Sequence, residues 1–265
     1  MALDPFPFIR PALRWESRKQ QNTRIHVPNI VDTASNSSIK VSSALYHALG
    51  VAEEDESHAA TLDAGGLLEE GVAAFLREAL PLLDERPWVV SRPGKEMTTL
   101  GQYSHFERVR QLVGGDPILR AAIGTDYLIK PDITVELPRR FESFGASGQH
   151  PNPSAMLLHA SVSCKWTLRS DRAQNVRPEA AALIRHRCGR VPHIVVVTAE
   201  PNVGRISSIA KGTGDLDAIF HIALPELEQA MRDEGYESQA EQLVDLANQG
   251  RLFDLKYLPA MLAEW

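Results

Sequence analysis

Three charged residues in the middle of the chain have the chemical types that phosphodiester hydrolysis requires. Asp132 follows a proline at the start of an apolar stretch, Lys165 ends a stretch of alternating polar and apolar residues, and Glu179 lies 14 residues later. Such hydrolysis uses carboxylates that hold a divalent cation and a cationic group that orients the attacking water and offsets negative charge. Mg²⁺ prefers oxygen ligands and takes few from protein. The pattern therefore indicates Mg²⁺-dependent hydrolysis, with ordinary roles for Asp132 as a strand cap and Lys165 as a solvent-facing residue left open.

A basic run follows the alternating stretch and has the composition of a base reader. Arg169, Ser170, Asp171 and Arg172 lie at the expected start of a helix, with Ser170 suited to the N-cap position. Arginine pairs with O6 and N7 of guanine, and aspartate accepts a hydrogen bond from N4 of cytosine. The run predicts contacts to adjacent G and C bases from the helix that carries Glu179. The alternative is a surface Asp–Arg pair, which contributes about 0–1 kcal/mol.

Two neighbouring elements must position these residues. Residues 156–166 alternate with period two, so Lys165 shares one face of a predicted strand with Ser161 and Ser163. Residues 170–189 have helical spacing, and Pro178 in their interior predicts a kink or a break.

The second half of the chain alternates between strands and helices. Residues 193–201 are almost wholly apolar, which indicates a strand buried on both faces, and 218–225 repeat that pattern. Residues 127–137 contain a further strand that is interrupted or started at Pro131. Alternation from residue 128 onward predicts an α/β fold.

The first half has fewer regular signals. Residues 1–37 look irregular, and residues 37–50 have helical spacing that Gly50 closes. Residues 67–85 predict a strong amphipathic helix, and 88–92 a short strand.

Composition limits the class of protein. The chain has 265 residues, 43% of them hydrophobic, which is enough for one large core. The net charge of −6 argues mildly against a nucleic-acid partner, yet residues 165–190 hold seven Lys or Arg against Asp171 and Glu179. No apolar run is long enough to span a membrane, and the start does not have the pattern of a signal peptide. With only two cysteines and no CxxC pair, a reducing, cytoplasmic location is expected.

Three stretches resemble a known enzyme family. Residues 157–179 and 190–229, together with the segment 121–135 around Asp132, are similar to type IIF restriction endonucleases whose sites share a central CCGG. That group belongs to the PD-(D/E)xK nuclease superfamily. The resemblance is dense from 117 to 230 and traceable from 28 to 112.

The resemblance implies a fold and a domain organisation. The fold would be α/β, with a central mixed β-sheet flanked by helices in a restriction-endonuclease-like core. Residues 1–265 would form a single nuclease domain, in which an N-terminal arm (1–37) and a helical region (38–125) surround the catalytic core (126–265).

The resemblance also implies roles for individual residues. The catalytic set would be Asp132, Lys165, Glu179 and Glu69. The metal ligands would be Asp132, Glu179 and the main-chain carbonyl of Cys164. The central CCGG would be read by Arg169, Asp171 and Arg172 beside Ser170, and the outer base pair by Asp32 and Arg205.

By the same resemblance the chain would be a type II site-specific deoxyribonuclease. It would use Mg²⁺ to cut double-stranded DNA, most simply at GCCGGC, leaving staggered ends with 5′-phosphates. A homotetramer built from two dimers and a cognate DNA methyltransferase are expected as partners, and no membrane.

Three alternatives stay open. The same nuclease could read a different outer base pair, such as RCCGGY, or the scaffold could bind DNA specifically without cutting it. A metabolic α/β enzyme is the third, although the sequence has no GxGxxG, P-loop or nucleophile-elbow motif.

Overall fold

A six-stranded mixed β-sheet organises the molecule. The computed structural model describes residues 3–53, 63–114, 116–118, 121, 129–139, 156–168, 170–212 and 214–265. The strands lie in chain order: β3 (Val89–Ser91), β4 (Ile133–Leu137), β5 (Leu157–Lys165), β6 (His193–Thr198), β7 (Ala218–His221) and β8 (Leu252–Asp254). Strands β3 to β5 pair antiparallel and β5 to β8 pair parallel. The predicted mixed sheet is confirmed.

Helices flank this sheet, and a separate hairpin precedes it. The hairpin strands are β1 (Trp15–Gln20) and β2 (Thr23–Pro28). The helices are α1 (Phe6–Ile9), α2 (Asn36–Ala48), α3 (Ala64–Leu83), α4 (His105–Val113), α5 (Ser170–His186), α6 (Val203–Ala210), α7 (Leu224–Asp233), α8 (Glu237–Asn248) and α9 (Leu258–Glu264). No helix within the described ranges has the length and apolar character of a membrane span.

The strand register brings several chain segments to one end of the sheet. Ile133, the first residue of β4, pairs with Val162, so Asp132 lies beside the last residues of β5. In the parallel part, Lys165 pairs with Thr198 at the carboxyl end of β6. We call this end of the sheet, formed by the amino end of β4 and the carboxyl ends of β5 and β6, the reactive end.

Apolar packing fixes the elements that meet there. The apolar residues of β6 are buried, as expected for a strand covered on both faces. The amphipathic helix α3 buries Leu68, Val72, Phe75 and Leu76 in the same core, which confirms its prediction. Gly50 closes α2 with a φ of 67°, a left-handed conformation that favours glycine.

Several local predictions were wrong or incomplete. Residues 1–37 are not irregular, because they include α1 and the β1–β2 hairpin. Helix α5 is not broken at Pro178 and continues to His186. Strand β8 and helices α6 and α9 were not predicted from the sequence.

Candidate active site

Asp132 and Lys165 meet at the reactive end. The Lys165 Nζ atom lies 3.0 Å from Oδ2 of Asp132, although the two residues are 33 positions apart in the chain. Their side chains are 25% and 18% exposed, so the pair is shielded but accessible. The alternation of β5 predicted the face of Lys165, and antiparallel pairing with β4 supplies the carboxylate. The two residues that sequence reasoning selected are therefore in contact.

The backbone of β5 orients the Asp132 carboxylate. Oδ2 of Asp132 also accepts the backbone N–H of Cys164 at 2.8 Å and the Ser163 hydroxyl at 3.4 Å. Within the described part of the chain, all the hydrogen bonds to this carboxylate go to Oδ2. The Oδ1 atom therefore keeps its lone pairs for another ligand.

Glu69 approaches the same point from α3. It accepts a hydrogen bond from Nη2 of Arg92 at 3.2 Å, and Arg92 also pairs with Glu70 at 3.1 Å. Burial raises the pKa of Glu69, the charge of Asp132 raises it further, and Arg92 and Lys165 oppose the shift. The charges of both Asp132 and Lys165 therefore affect the pKa of Glu69. Glu70, by contrast, is half exposed and pairs with Arg77 and Arg92.

Glu179 reaches the site from α5. It lies nine residues, or about 2.5 helical turns, after the start of that helix. Burial raises the pKa of its carboxyl group, and the two charges that act on it are those of Lys165, which lowers the pKa, and Asp132, which raises it. The charges of Asp132 and Lys165 thus act on both Glu69 and Glu179, so four side chains from different parts of the chain interact at this site. Strand β5 brings Lys165, α3 brings Glu69, α5 brings Glu179, and Asp132 immediately precedes β4.

The donor set fits a hard divalent cation. Burial and the neighbouring carboxylates raise the pKa of the Cys164 thiol well above its usual range, so the thiol stays neutral and only its main-chain carbonyl suits such an ion. Among the described residues, no group of three or more His, Cys, Asp or Glu side chains is placed to hold a metal ion, so side chains alone would supply at most two ligands. That arrangement is compatible with Mg²⁺, which keeps several of its waters and takes one or two carboxylates. Asp132, Glu179 and the Cys164 carbonyl are the residues that would hold it.

The basic run that is predicted to contact DNA bases lies at the start of α5. Ser170, Asp171 and Arg172 form its first turn, while Arg169 lies outside the described residues. The preceding residue, Leu168, donates its backbone N–H to Oε2 of Glu200 at 2.7 Å. The turn between β5 and α5 is therefore tied to the segment that follows β6.

Asp32 and Arg205 are neighbours despite their separation in sequence. Arg205 donates a hydrogen bond to Oδ2 of Asp32, and its other terminal nitrogen lies 3.6 Å from Glu200. Glu200 is fully buried and also accepts the backbone N–H of Asn202 at 2.9 Å. The buried carboxylate of Glu200 thus links Leu168, in the turn between β5 and α5, to Arg205.

Sequence reasoning missed Arg92 and Glu200. Arg92 lies in a polar stretch with no motif, and its partners in α3 are 22 and 23 residues away. Glu200 lies two residues after the end of β6, in a stretch whose sequence indicates only an apolar strand. Both are positioning residues, since they contact predicted site residues or the turn that carries them.

Comparison with known proteins gives one consistent result. A family model described as NgoMIV restriction enzyme matches residues 12–264. The type II restriction enzyme NgoMIV of Neisseria gonorrhoeae is 42% identical over 220 residues, covering 75% of this chain and 77% of that protein.

Proposed function

The chain belongs to the NgoMIV restriction enzyme family and is a type II restriction endonuclease, a hydrolase that acts on DNA; we propose that it uses Mg²⁺ to cut GCCGGC. The observation that carries this proposal is the Asp132–Lys165 pair, with one carboxylate oxygen fixed by β5 and the other available. The contact of Asp32 with Arg205 supports the outer G·C pair of that sequence.

Four residues would divide the chemistry of cleavage. Bound Mg²⁺ would supply charge neutralisation at the scissile phosphate and activate water. Asp132, Glu179 and the Cys164 carbonyl would hold the ion, and Glu69 would add a further acid whose charge interacts with that of Asp132. Lys165 would place its ammonium group beside the phosphate, where it orients the nucleophile and offsets charge that develops in the transition state. Release of the 3′ oxygen would leave a 5′-phosphate.

Recognition would use two groups of side chains. Arg169, Asp171 and Arg172 beside Ser170 would read the central CCGG through the major groove from the start of α5. Asp32 and Arg205 lie side by side, so they can address the C and the G of one base pair, with the carboxylate accepting from C and the guanidinium donating to G. Cutting and reading would be coupled because β5 and α5 are joined by one short turn.

The assembly would be a homotetramer of two dimers, with each subunit reading half of a palindromic site. A DNA methyltransferase that modifies the same sequence would protect the host DNA. Cuts on the two strands would be staggered and leave 5′ overhangs.

Digestion of two plasmids tests this proposal. One plasmid carries a single GCCGGC and the other carries two, each is incubated with Mg²⁺, and the ends are sequenced. Cutting within GCCGGC that is faster on the two-site plasmid is the expected result. Cutting at another CCGG-containing sequence would overturn the roles of Asp32 and Arg205. Specific binding with no product would indicate a DNA-binding protein without nuclease activity.

A Lys165→Ala variant tests the active site separately. We expect it to lose cleavage and to keep specific binding, because Lys165 is assigned to the phosphate and not to a base. Cleavage at the wild-type rate would refute that assignment.

A further inference from the structure

Two cations lie opposite each other near the tip of the β1–β2 hairpin. Lys19 and Arg24 are direct cross-strand partners, and both are exposed. Like charges that face each other across an antiparallel pair are destabilising. Within the described residues, neither side chain has an acidic partner that could offset this repulsion. The pair therefore has the properties of a binding surface for an anion.

The hairpin is tied to the chain beside the reactive end through Arg18, the residue before Lys19. The Nη1 and Nη2 atoms of Arg18 donate to the carbonyls of Val31 at 2.7 Å and Asn29 at 2.8 Å. The Asn29 carbonyl also accepts the indole N–H of Trp166, the residue after Lys165, at 3.3 Å. Lys19 and Arg24 are thus carried on an element that is tied to the end of the strand that delivers the catalytic lysine.

The charge around the hairpin distinguishes it from the rest of the molecule. Residues 5–31 hold five Lys or Arg and one Glu, in a chain of net charge −6. That glutamate, Glu16, lies near the base of the hairpin, where it pairs with Arg18 and Arg14. The tip therefore presents its cations to solvent without local neutralisation.

We propose that Lys19 and Arg24 bind phosphates of the DNA duplex that flanks the recognition sequence. Lys19 lies four positions after Trp15 in β1, so the cations extend about 13 Å from the hairpin base, a distance that spans several base-pair steps. Contacts at that distance add affinity without adding sequence information, because phosphates are alike at every step. The proposal rests on the proposed function, since it requires DNA bound at the reactive end.

The test is a Lys19→Gln/Arg24→Gln double variant, whose exposed positions leave the core unchanged. Its DNA affinity is measured without divalent metal over a range of salt concentrations, on long duplexes with and without GCCGGC. We expect the slope of log affinity against log salt to fall by roughly 0.9 per lost phosphate contact, which is about 1.8 for each subunit and about 3.6 for the two subunits on one duplex. The loss should be equal on both duplexes, and it should disappear on a duplex trimmed to the recognition sequence.

A matched control is Lys211→Gln. Lys211 lies next to Ala210 and Gly212, whose carbonyls contact Arg251 at the start of β8, so it is at the opposite end of the sheet. Its salt slope should equal that of the wild type. An unchanged slope in the double variant would overturn the proposal, and an altered sedimentation coefficient with an unchanged slope would assign the pair to contact with a second copy. Failure of the proposed recognition sequence would leave the test valid, because the slope is also measured on DNA without that sequence.

Discussion

Arg92 is the residue whose charge is shared between Glu69 and Glu70, two neighbouring acids of α3. It bonds to Glu69 and Glu70 and also donates to the Gly66 carbonyl at 3.2 Å. Its side chain is only 17% exposed, so these contacts are shielded from water more than a surface ion pair is. Arg92 therefore holds the orientation of Glu69 toward Asp132.

Replacement of Arg92 by glutamine should slow cleavage and leave binding almost unchanged. Loss of a residue that orients an active-site acid typically lowers activity about 10- to 100-fold. Single-turnover cleavage and metal-free DNA binding would be measured on the same preparation. The control is Arg77→Gln, because Arg77 pairs with Glu70 at 3.5 Å but has no contact with Glu69. Equal loss of cleavage in both variants would contradict a specific role for Arg92.

Asp32→Asn should relax discrimination at the outer base pair. An amide can still accept a hydrogen bond, but it no longer offers the charged partner that Arg205 contacts in the free protein. We expect GCCGGC to lose about 1–3 kcal/mol of preference over duplexes with another outer pair. Competition binding on duplexes that differ only at that pair measures the change. Unaltered selectivity would remove Asp32 from the reader.

At the residue level, the sequence predicted the residues with chemical roles better than the residues that position them. Asp132, Lys165 and Glu179 could be selected because their types and spacing match a reaction, and the resemblance added Glu69. Arg92 and Glu200 could not be selected, since their roles arise from contacts between segments distant in sequence, at Glu69 and at Leu168. A buried carboxylate becomes recognisable only when its hydrogen-bond donors are known.

At the element scale, the unit that matters is β5 followed directly by α5. Strand β5 ends at Lys165 and α5 begins at Ser170, so the proposed catalytic lysine and the turn proposed to read bases are a few residues apart. Glu200 bonds to the Leu168 N–H between them, which limits how far this connection can move. A displacement of α5 would therefore be transmitted to the carboxyl end of β5, where Lys165 lies.

The segment before β4 depends on a close backbone approach at Gly94. The Gly94 N–H donates to the Asp132 carbonyl at 3.0 Å, and an added Cβ would overlap the carbonyl oxygen of Pro131. Gly94→Ala should therefore displace Asp132. A shift of about 1 Å at a reacting group lowers the rate on the order of 100-fold. Cleavage at the normal rate by a variant with the wild-type unfolding midpoint would show that Asp132 tolerates the shift.

The elements that the sequence predicted are those with a clear apolar period. Strand β5 alternates, β6 is continuously apolar, and α3 has a wide apolar stripe, so each pattern had one interpretation. The β1–β2 hairpin was missed because charged and polar residues occupy most of both strands and its loop, Gln21–Asn22, has no glycine. Strand β8 has three residues, which is too short for any period to appear.

At the scale of the whole molecule, the separation of charge agrees with a DNA-binding protein of negative net charge. The basic segment 5–31 contains the hairpin, and the basic segment 165–190 contains the β5–α5 turn and most of α5. The two segments are in contact beside the reactive end, where the Trp166 indole donates a hydrogen bond to the Asn29 carbonyl. Acidic residues are concentrated from 215 onward, in the elements that follow β6. The basic segments therefore adjoin the end of the sheet where cleavage is proposed.

The buried histidines make the stability of the whole fold depend on pH. His159 and His221 lie in the core, and burial lowers the pKa of each to about 4. In the unfolded chain the same groups titrate near the ordinary value of 6.5, so between about pH 6.5 and 4 the unfolded state binds more protons. The stability that depends on these two neutral histidines is therefore fully present above about pH 6.5 and is lost as the pH falls toward 4.

His221→Asn should remove part of this decline. Nδ1 of His221 accepts the backbone N–H of Ala223 at 3.1 Å, and the asparagine carbonyl can accept the same bond without titrating. Between pH 7 and pH 5 one such histidine contributes about 2 kcal/mol of lost stability, since its pKa differs by about 2.5 between the two states. Urea unfolding at both pH values should thus show a smaller decrease for the variant than for the wild type, by about that amount. Equal decreases would mean that His221 does not titrate with unfolding and that His159 and the carboxylates account for the acid sensitivity.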